Sequence, residues 1–191
     1  IAKLVKEKQP KLFQYLLDLR KKTEVSKLFD LVNLTPLVHV SGRFPAIQGC
    51  VSWIVPLAPH PSNKNAVICY NLQADPKPLL ELDLSSLQQL LYTKTADLDE
   101  DQERLGLKLI HINKCPVLSP AKTLSEQRAA DLGIDRAACL KHLDWLRQNR
   151  SAIQPKVMEL YQLPTEYSVE TNPDYQLYNG FVSNEDKQRM E

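Results

Sequence analysis

Four polar side chains interrupt the most β-prone run of this sequence. Between Leu107 and Leu118 the chain reads Leu-Lys-Leu-Ile-His-Ile-Asn-Lys-Cys-Pro-Val-Leu, which sets Lys108, His111, Asn113 and Lys114 among aliphatic neighbours and closes the run at Pro116. Ionisable and amide groups fixed on a rigid strand are the first candidates for ligand contact. Strict alternation sends Lys108 and His111 to opposite faces. Both reach one ligand only if the strand bulges, twists strongly or lies at a sheet edge.

A second constellation has helical spacing. Arg136, Leu140 and Arg147 fall at i, i+4 and i+11, a narrow stripe of one helix face with Leu143 beside it. Two cations flanking an apolar spot suit an acidic peptide that ends in a bulky apolar residue. The plainer reading is a helix with solvated arginines and a core leucine. Elsewhere, Asp97, Asp99, Asp101 and Glu103 have the spacing of a calcium loop. Gln102 replaces the required glycine and Lys108 the bidentate glutamate, so a solvated acidic loop is expected.

The elements that position these groups follow from periodicity. Residues 1–30 are helical, with Leu12 and Leu16, and Phe13 and Leu17, at i,i+4, and with Pro10 starting a second helix that carries Tyr15. From Pro36 the period falls towards two. Short strands are expected at Leu37–Phe44, Cys50–Leu57, Ala66–Leu72 and Leu79–Leu82, separated by Gly42, Gly49, the Pro59–Asn63 cluster and Asp75-Pro76. Such spacing predicts a small barrel or sandwich, hence an α+β fold. A helix over Asp83–Tyr92 precedes the acidic loop. Ser125 caps a short helix closed by Gly133, Asp135 caps a longer one from Arg136 to about Asn149, and Pro155 starts another running to about Gln162. Residues 163–177 read as an extended linker, and Tyr178-Asn179-Gly180-Phe181 as an Asn-Gly turn between two aromatics.

Composition bounds the function. With 191 residues and 43% hydrophobic content the chain buries a real core, and its formal charge of +1 excludes a globally basic nucleic-acid binder. Any such contact is a local patch. The four cysteines, Cys50, Cys69, Cys115 and Cys139, form no C-x-x-C pair and sit in apolar segments, as reduced buried thiols do. No apolar run reaches the length of a membrane span, so a cytoplasmic protein with no membrane contact is expected. Ile1 opens directly into helical patterning, and the chain breaks off inside a capped pattern that begins at Ser183. A fragment of a larger protein is expected.

The octamer from His111 to Leu118, together with Pro36–Gly42, Asn65–Ile68 and Gln176–Phe181, closely resembles the bacterial exodeoxyribonuclease I family over essentially the whole chain. The resemblance implies a nuclease degrading single-stranded DNA from the 3′ end in repair and recombination. It joins a catalytic domain to an SH3-like barrel and then a C-terminal helical domain. Residues 1–9 would then be the tail of the catalytic domain's last helix, 10–163 the SH3-like domain with flanking and inserted helices, and 164–191 the linker and start of the helical domain. The magnesium ligands would lie upstream, leaving no catalytic or metal-binding residue here and an inactive fragment. The implied DNA-contacting positions are Lys22, Asn65, Tyr92, Lys108, His111, Tyr178 and Phe181. The lysines would meet phosphates, Asn65 and His111 would donate hydrogen bonds, and the aromatics would stack on bases. The implied docking positions for the acidic C-terminal tail of single-stranded-DNA-binding protein are Tyr15, Arg136, Leu140 and Arg147. Pro120 and Ser125 depart from that pattern, standing where a glutamine and an arginine are expected. A monomer is expected.

Two other classes stay open. One is a protein-docking module that binds the acidic tail and ignores DNA, since the fold does not fix the function. The other is an enzyme or metal protein using His39, His111, Cys50, Cys69 or Cys115, which lack zinc spacing.

Overall fold

A computed structural model describes residues 2–93, 104–164 and 188. The helical start divides into α1 (Ala2–Lys8), α2 (Pro10–Asp18) and α3 (Lys22–Ser26). Pro10 opens α2 as its first residue, where a missing N–H costs nothing. Four strands then form an antiparallel meander: β1 (Leu37–Val40), β2 (Val51–Pro59), β3 (Ala66–Asn71) and β4 (Leu107–His111). The fifth, β5 (Val117–Pro120), returns to pair with β1, giving the order β4-β3-β2-β1-β5.

The two edges of this sheet, β4 and β5, are joined by only Ile112–Pro116. Laid flat, five strands would hold their edges about 19 Å apart. The connection folds back on itself instead. The Lys114 N–H donates to the His111 carbonyl at 3.2 Å, and Cys115 takes a left-handed φ of 47°. The sheet must therefore curl, and the Lys108 ammonium donates across the curl to Ser41 Oγ, just beyond β1, at 2.9 Å. One face lines the inside of this half-barrel, with Leu37, Ile54, Cys69, Ile110 and Leu118 packed with Phe44 and plugged by Leu19 and Val25 from the helical start. The other face carries Val38, Trp53, Val55, Ile68, Tyr70 and Leu107 into the main core. That core is closed by α4 (Pro78–Glu81), α5 (Leu84–Tyr92), α6 (Glu126–Asp131), α7 (Arg136–Gln148) and α8 (Arg150–Leu160), each of which buries at least one side chain in it. A register shift between Pro56 and Ala58 in β2 adds to the bend.

Several local signals act as expected. Asp83, Ser125 and Asp135 each cap a helix by accepting from the N–H three residues on, Ser125 serving the short α6 (Glu126–Asp131). Gly133 takes a left-handed φ of 66° just after α6. Four expectations change. The expected strand Leu79–Leu82 is helix as far as Glu81, with Leu82 extended after it, because Pro78 starts α4 and Leu79 drops into the main core. The run from Leu107 to Leu118 is two strands and a turn, so Asn113 and Lys114 sit in the turn. Pro155 lies inside α8, whose buried face of Ile153, Val157 and Leu160 extends through it. Cys115 is exposed and Cys50 half-buried, although all four thiols are free. The 163–177 linker falls outside the described residues from 165 on, as do the acidic loop at 97–103 and the Tyr178–Phe181 turn.

Candidate nucleic-acid interface

Strand β4 pairs with β3 in an unshifted register, from Ala66 opposite His111 to Tyr70 opposite Leu107. Lys108 and His111 consequently project from opposite faces. β4 is nevertheless an edge strand, so a ligand that wraps around the edge meets both.

On the inner face, Lys108 stands opposite Cys69 at the rim of the half-barrel. Its ammonium lies 4.0 Å from the centre of the Phe44 ring as well as on Ser41 Oγ. Burial, reinforced by the Arg43 charge, pulls its pKa down to about 8. An ammonium has three N–H donors, and Ser41 takes one. His39 stands behind this group, its Nδ1 2.9 Å from the Val117 carbonyl and its ring edge-on to Phe44. Burial lowers its pKa too. Lys22 is exposed at the start of α3, the helix whose Val25 plugs this same face.

His111 ends β4 on the outer face, and Asn65 immediately precedes β3. The two are stitched together where the Ile112 N–H donates to the Asn65 carbonyl at 2.9 Å. The loop before Asn65 adds His60, whose ring packs at 5.4 Å from that of Tyr161 after α8. Burial pushes the Tyr161 hydroxyl pKa up, and the nearby Tyr92 hydroxyl adds to the shift. Tyr92, 48% exposed at the end of α5, thus closes the row. Burial, Lys114 and His60 together lower the pKa of His111. His111 and Tyr92 therefore share one side, Lys22 and Lys108 belong to the other, and Asn65 continues the register opposite Ile112, which packs in the inner cluster. Tyr178 and Phe181 lie outside the described residues. Sequence reading missed His60, Tyr161, Ser41 and Phe44. For His60 the signal was present as a histidine two residues before Ser62 in a turn cluster, where a side chain commonly accepts from the backbone.

The α7 stripe forms as the spacing requires, with Leu140 46% exposed between its cations. Both arginines already have partners. The Arg136 guanidinium stacks 4.9 Å from the Trp53 ring and lies 3.9 Å from Glu126. Arg147 donates to the Asn33 and Leu34 carbonyls at 3.2 and 3.4 Å and lies 3.7 Å from Asp144. Tyr15 is placed by β5, its hydroxyl donating to the Leu118 carbonyl at 2.8 Å. The two departures have local duties: Pro120 ends β5 and Ser125 caps α6. Among the described residues no three His, Cys, Asp or Glu side chains converge as a metal site would need. Nor is any described helix long and apolar enough to cross a membrane.

A curled antiparallel sheet of five strands, meander first and fifth strand back on the first, with helices packed on its outer face, defines an SH3-like domain of α+β class. The chain belongs to the exonuclease I SH3-like domain family, whose model matches residues 20–163. It is 47% identical to exodeoxyribonuclease I of Escherichia coli over 190 residues and 47% identical to that of Haemophilus influenzae over 191. All of this chain is covered in each comparison, and it spans 40% of the length of either relative. A solved structure of E. coli exonuclease I in complex with a 5cy-dT13 oligonucleotide superposes with a TM-score of 0.82 at 47% identity, over 99% of this chain and 40% of that one. A structure of SSB/exonuclease I in complex with the inhibitor CFAM superposes with a TM-score of 0.79 at 45% identity, over 99% and 38%.

Proposed function

We propose that this chain is the single-stranded-DNA-binding and partner-docking portion of an exodeoxyribonuclease I, a 3′-to-5′ exonuclease of DNA repair and recombination. The observation that carries the reading is the family match over residues 20–163, which spans the strands bearing Asn65, Lys108 and His111. The relative's complex with an oligonucleotide supports the same reading. Donors set around the edge of β4 suit a sequence-independent grip on phosphates, with Tyr92 offering a face to a base. Tyr178 and Phe181 would extend the stack. In this reading residues 1–9 end the catalytic domain, 10–163 form the SH3-like domain and 164–191 begin the helical domain. Magnesium and hydrolysis belong to the catalytic domain, and this portion alone is inactive. The protein acts as a monomer in the cytoplasm.

Docking of the acidic tail of single-stranded-DNA-binding protein belongs to the same proposal. Support comes from the α7 stripe and from the relative's structure with SSB. A docking-only module is the competing reading, favoured by the contacts with Ser41 and Phe44 that already hold the Lys108 ammonium inside the chain. Fluorescence anisotropy with labelled oligothymidine, against a matched duplex, separates the two. Single-strand-selective binding that weakens with salt at a log–log slope of about −0.7 per phosphate supports the DNA grip. Tail-peptide binding without oligothymidine binding at low salt overturns it.

A further inference from the structure

His60, Ala66 and His111 form a row across three strands. The His60 N–H donates to the Ala66 carbonyl at 3.1 Å, continuing the register in which Pro59 faces Val67, and Ala66 stands directly opposite His111. Cross-strand partners share a face, so both imidazoles rise on the same side, two strand spacings or about 10 Å apart, with only a methyl group between them. The Tyr161 ring packs against that of His60, 5.4 Å between centroids.

The tautomer of His60 is fixed by its own loop. Its Nδ1 lies 3.2 Å from the Ser62 N–H and 3.1 Å from the Asn63 N–H, both of which donate to it. In the neutral ring Nδ1 is then the acceptor, and Nε2 carries the proton. Among the described residues Nε2 has no hydrogen-bond partner, and it is not one of the buried unpartnered atoms, so this donor reaches solvent. A ring held this way cannot offer Nε2 to a metal without losing its proton, but it is ready to donate to an anion. The surroundings agree, since the charges acting on His111 are those of Lys114 and His60, both cationic when protonated.

We propose that His60 is a further phosphate-contacting residue of the DNA grip, donating through Nε2 to a phosphodiester oxygen on the His111 side of the sheet. The proposal rests on the single-strand reading above and assigns a residue beyond it. His60 plays a binding role, set up by backbone donors that leave one direction for its proton.

The test is oligothymidine binding by the full chain in its original form and as His60→Asn, His60→Ala and His111→Asn, from pH 5.5 to 8. Asparagine can still accept from the N–H two residues on, as an Asx turn does, so His60→Asn keeps the loop while removing the outward donor. His60→Asn is expected to lower affinity about threefold at pH 8 and by a similar factor at pH 5.5, because burial and the two N–H groups donating to Nδ1 both disfavour the cationic ring. Its salt slope should not change, because the donor removed is neutral. The companion variant His111→Asn separates the share of the neighbouring imidazole. The other ionisable groups around the row are Lys64, Lys114 and Tyr161. Equal affinity of His60→Asn and the original chain at both pH values overturns this assignment alone. Failure of the original chain to bind oligothymidine overturns the single-strand reading and this assignment with it. A loss in His60→Ala that His60→Asn fully restores would show that only the loop shape matters, which also overturns it.

Discussion

Lys108 and Arg147 are both cations carried on regular structure, yet their surroundings differ in kind. Lys108 is drawn into the rim of the half-barrel, where burial weakens its hold on its proton and Ser41 with Phe44 fix its place. Arg147 keeps its charge outside the core and spends its N–H groups on the carbonyls of Asn33 and Leu34. Arg150 does the same for Val32 at 2.6 Å. The first arrangement costs stability and leaves donors for a ligand. The second adds stability and leaves few. A cation placed against its own interest is the better pointer to function.

The contrast is broken most forcefully at Gly106, which leads into β4. A Cβ built there would lie 2.8 Å from the Tyr70 ring and 2.9 Å from the Ala74 side chain. Gly106→Val should destabilise the fold by about 2–3 kcal/mol. By hydrogen exchange, β4 amides should lose protection before those of α7. Next in size, Lys108→Met should reduce oligothymidine affinity about tenfold in anisotropy, roughly 1.4 kcal/mol. The urea midpoint should not fall, because a half-buried charge is removed. Arg147→Ala should do the reverse, lowering stability by about 1 kcal/mol in urea and leaving oligothymidine affinity unchanged.

The pH dependence sharpens the same distinction. Between about pH 8 and the ordinary lysine value of 10.5, Lys108 is losing its proton in the folded chain while it would keep it unfolded. The unfolded state then binds more protons, so this group makes stability rise with pH across that window. Affinity for oligothymidine should fall over the same window, and Lys108→Met should flatten both curves. The smallest effect concerns the loop that Arg147 holds. Hydrogen bonds from the Asn33 backbone and side chain, then from Thr35, hold the Asp30 pKa at about 2. Its contribution is present above the ordinary value of 3.8 and fades as pH falls towards 2. The Asn33 amide should lose exchange protection across that range, and Asp30→Ala should remove the transition.

Local signals were legible in the sequence and distant ones were not. Asp83, Ser125 and Asp135 announce their helices because capping depends on residues three apart. Leu79–Leu82 misleads because four residues carry too little periodicity, and it is the core beneath Leu79 that settles the matter. Pro155 misleads because a buried face on both sides of it outweighs the lost hydrogen bond. The β4 residues were visible as a polar interruption of an apolar run. That Lys108 would reach Ser41, or that His60 would stand in one row with His111, depends on register and curl.

The short connection between the sheet's edges has a consequence for how the chain acquires its shape. β1 can pair with β2 as soon as both exist, but its other side waits for β5, which is made only after the meander, α4 and α5. Until then the ribbon stays open, with a row of unsatisfied amides along β1 and the apolar lining of the curl in water. Closure is thus a late, long-range event, slow compared with formation of the hairpins. During synthesis this open seam is the interval in which the nascent chain is most exposed to pairing with a neighbour.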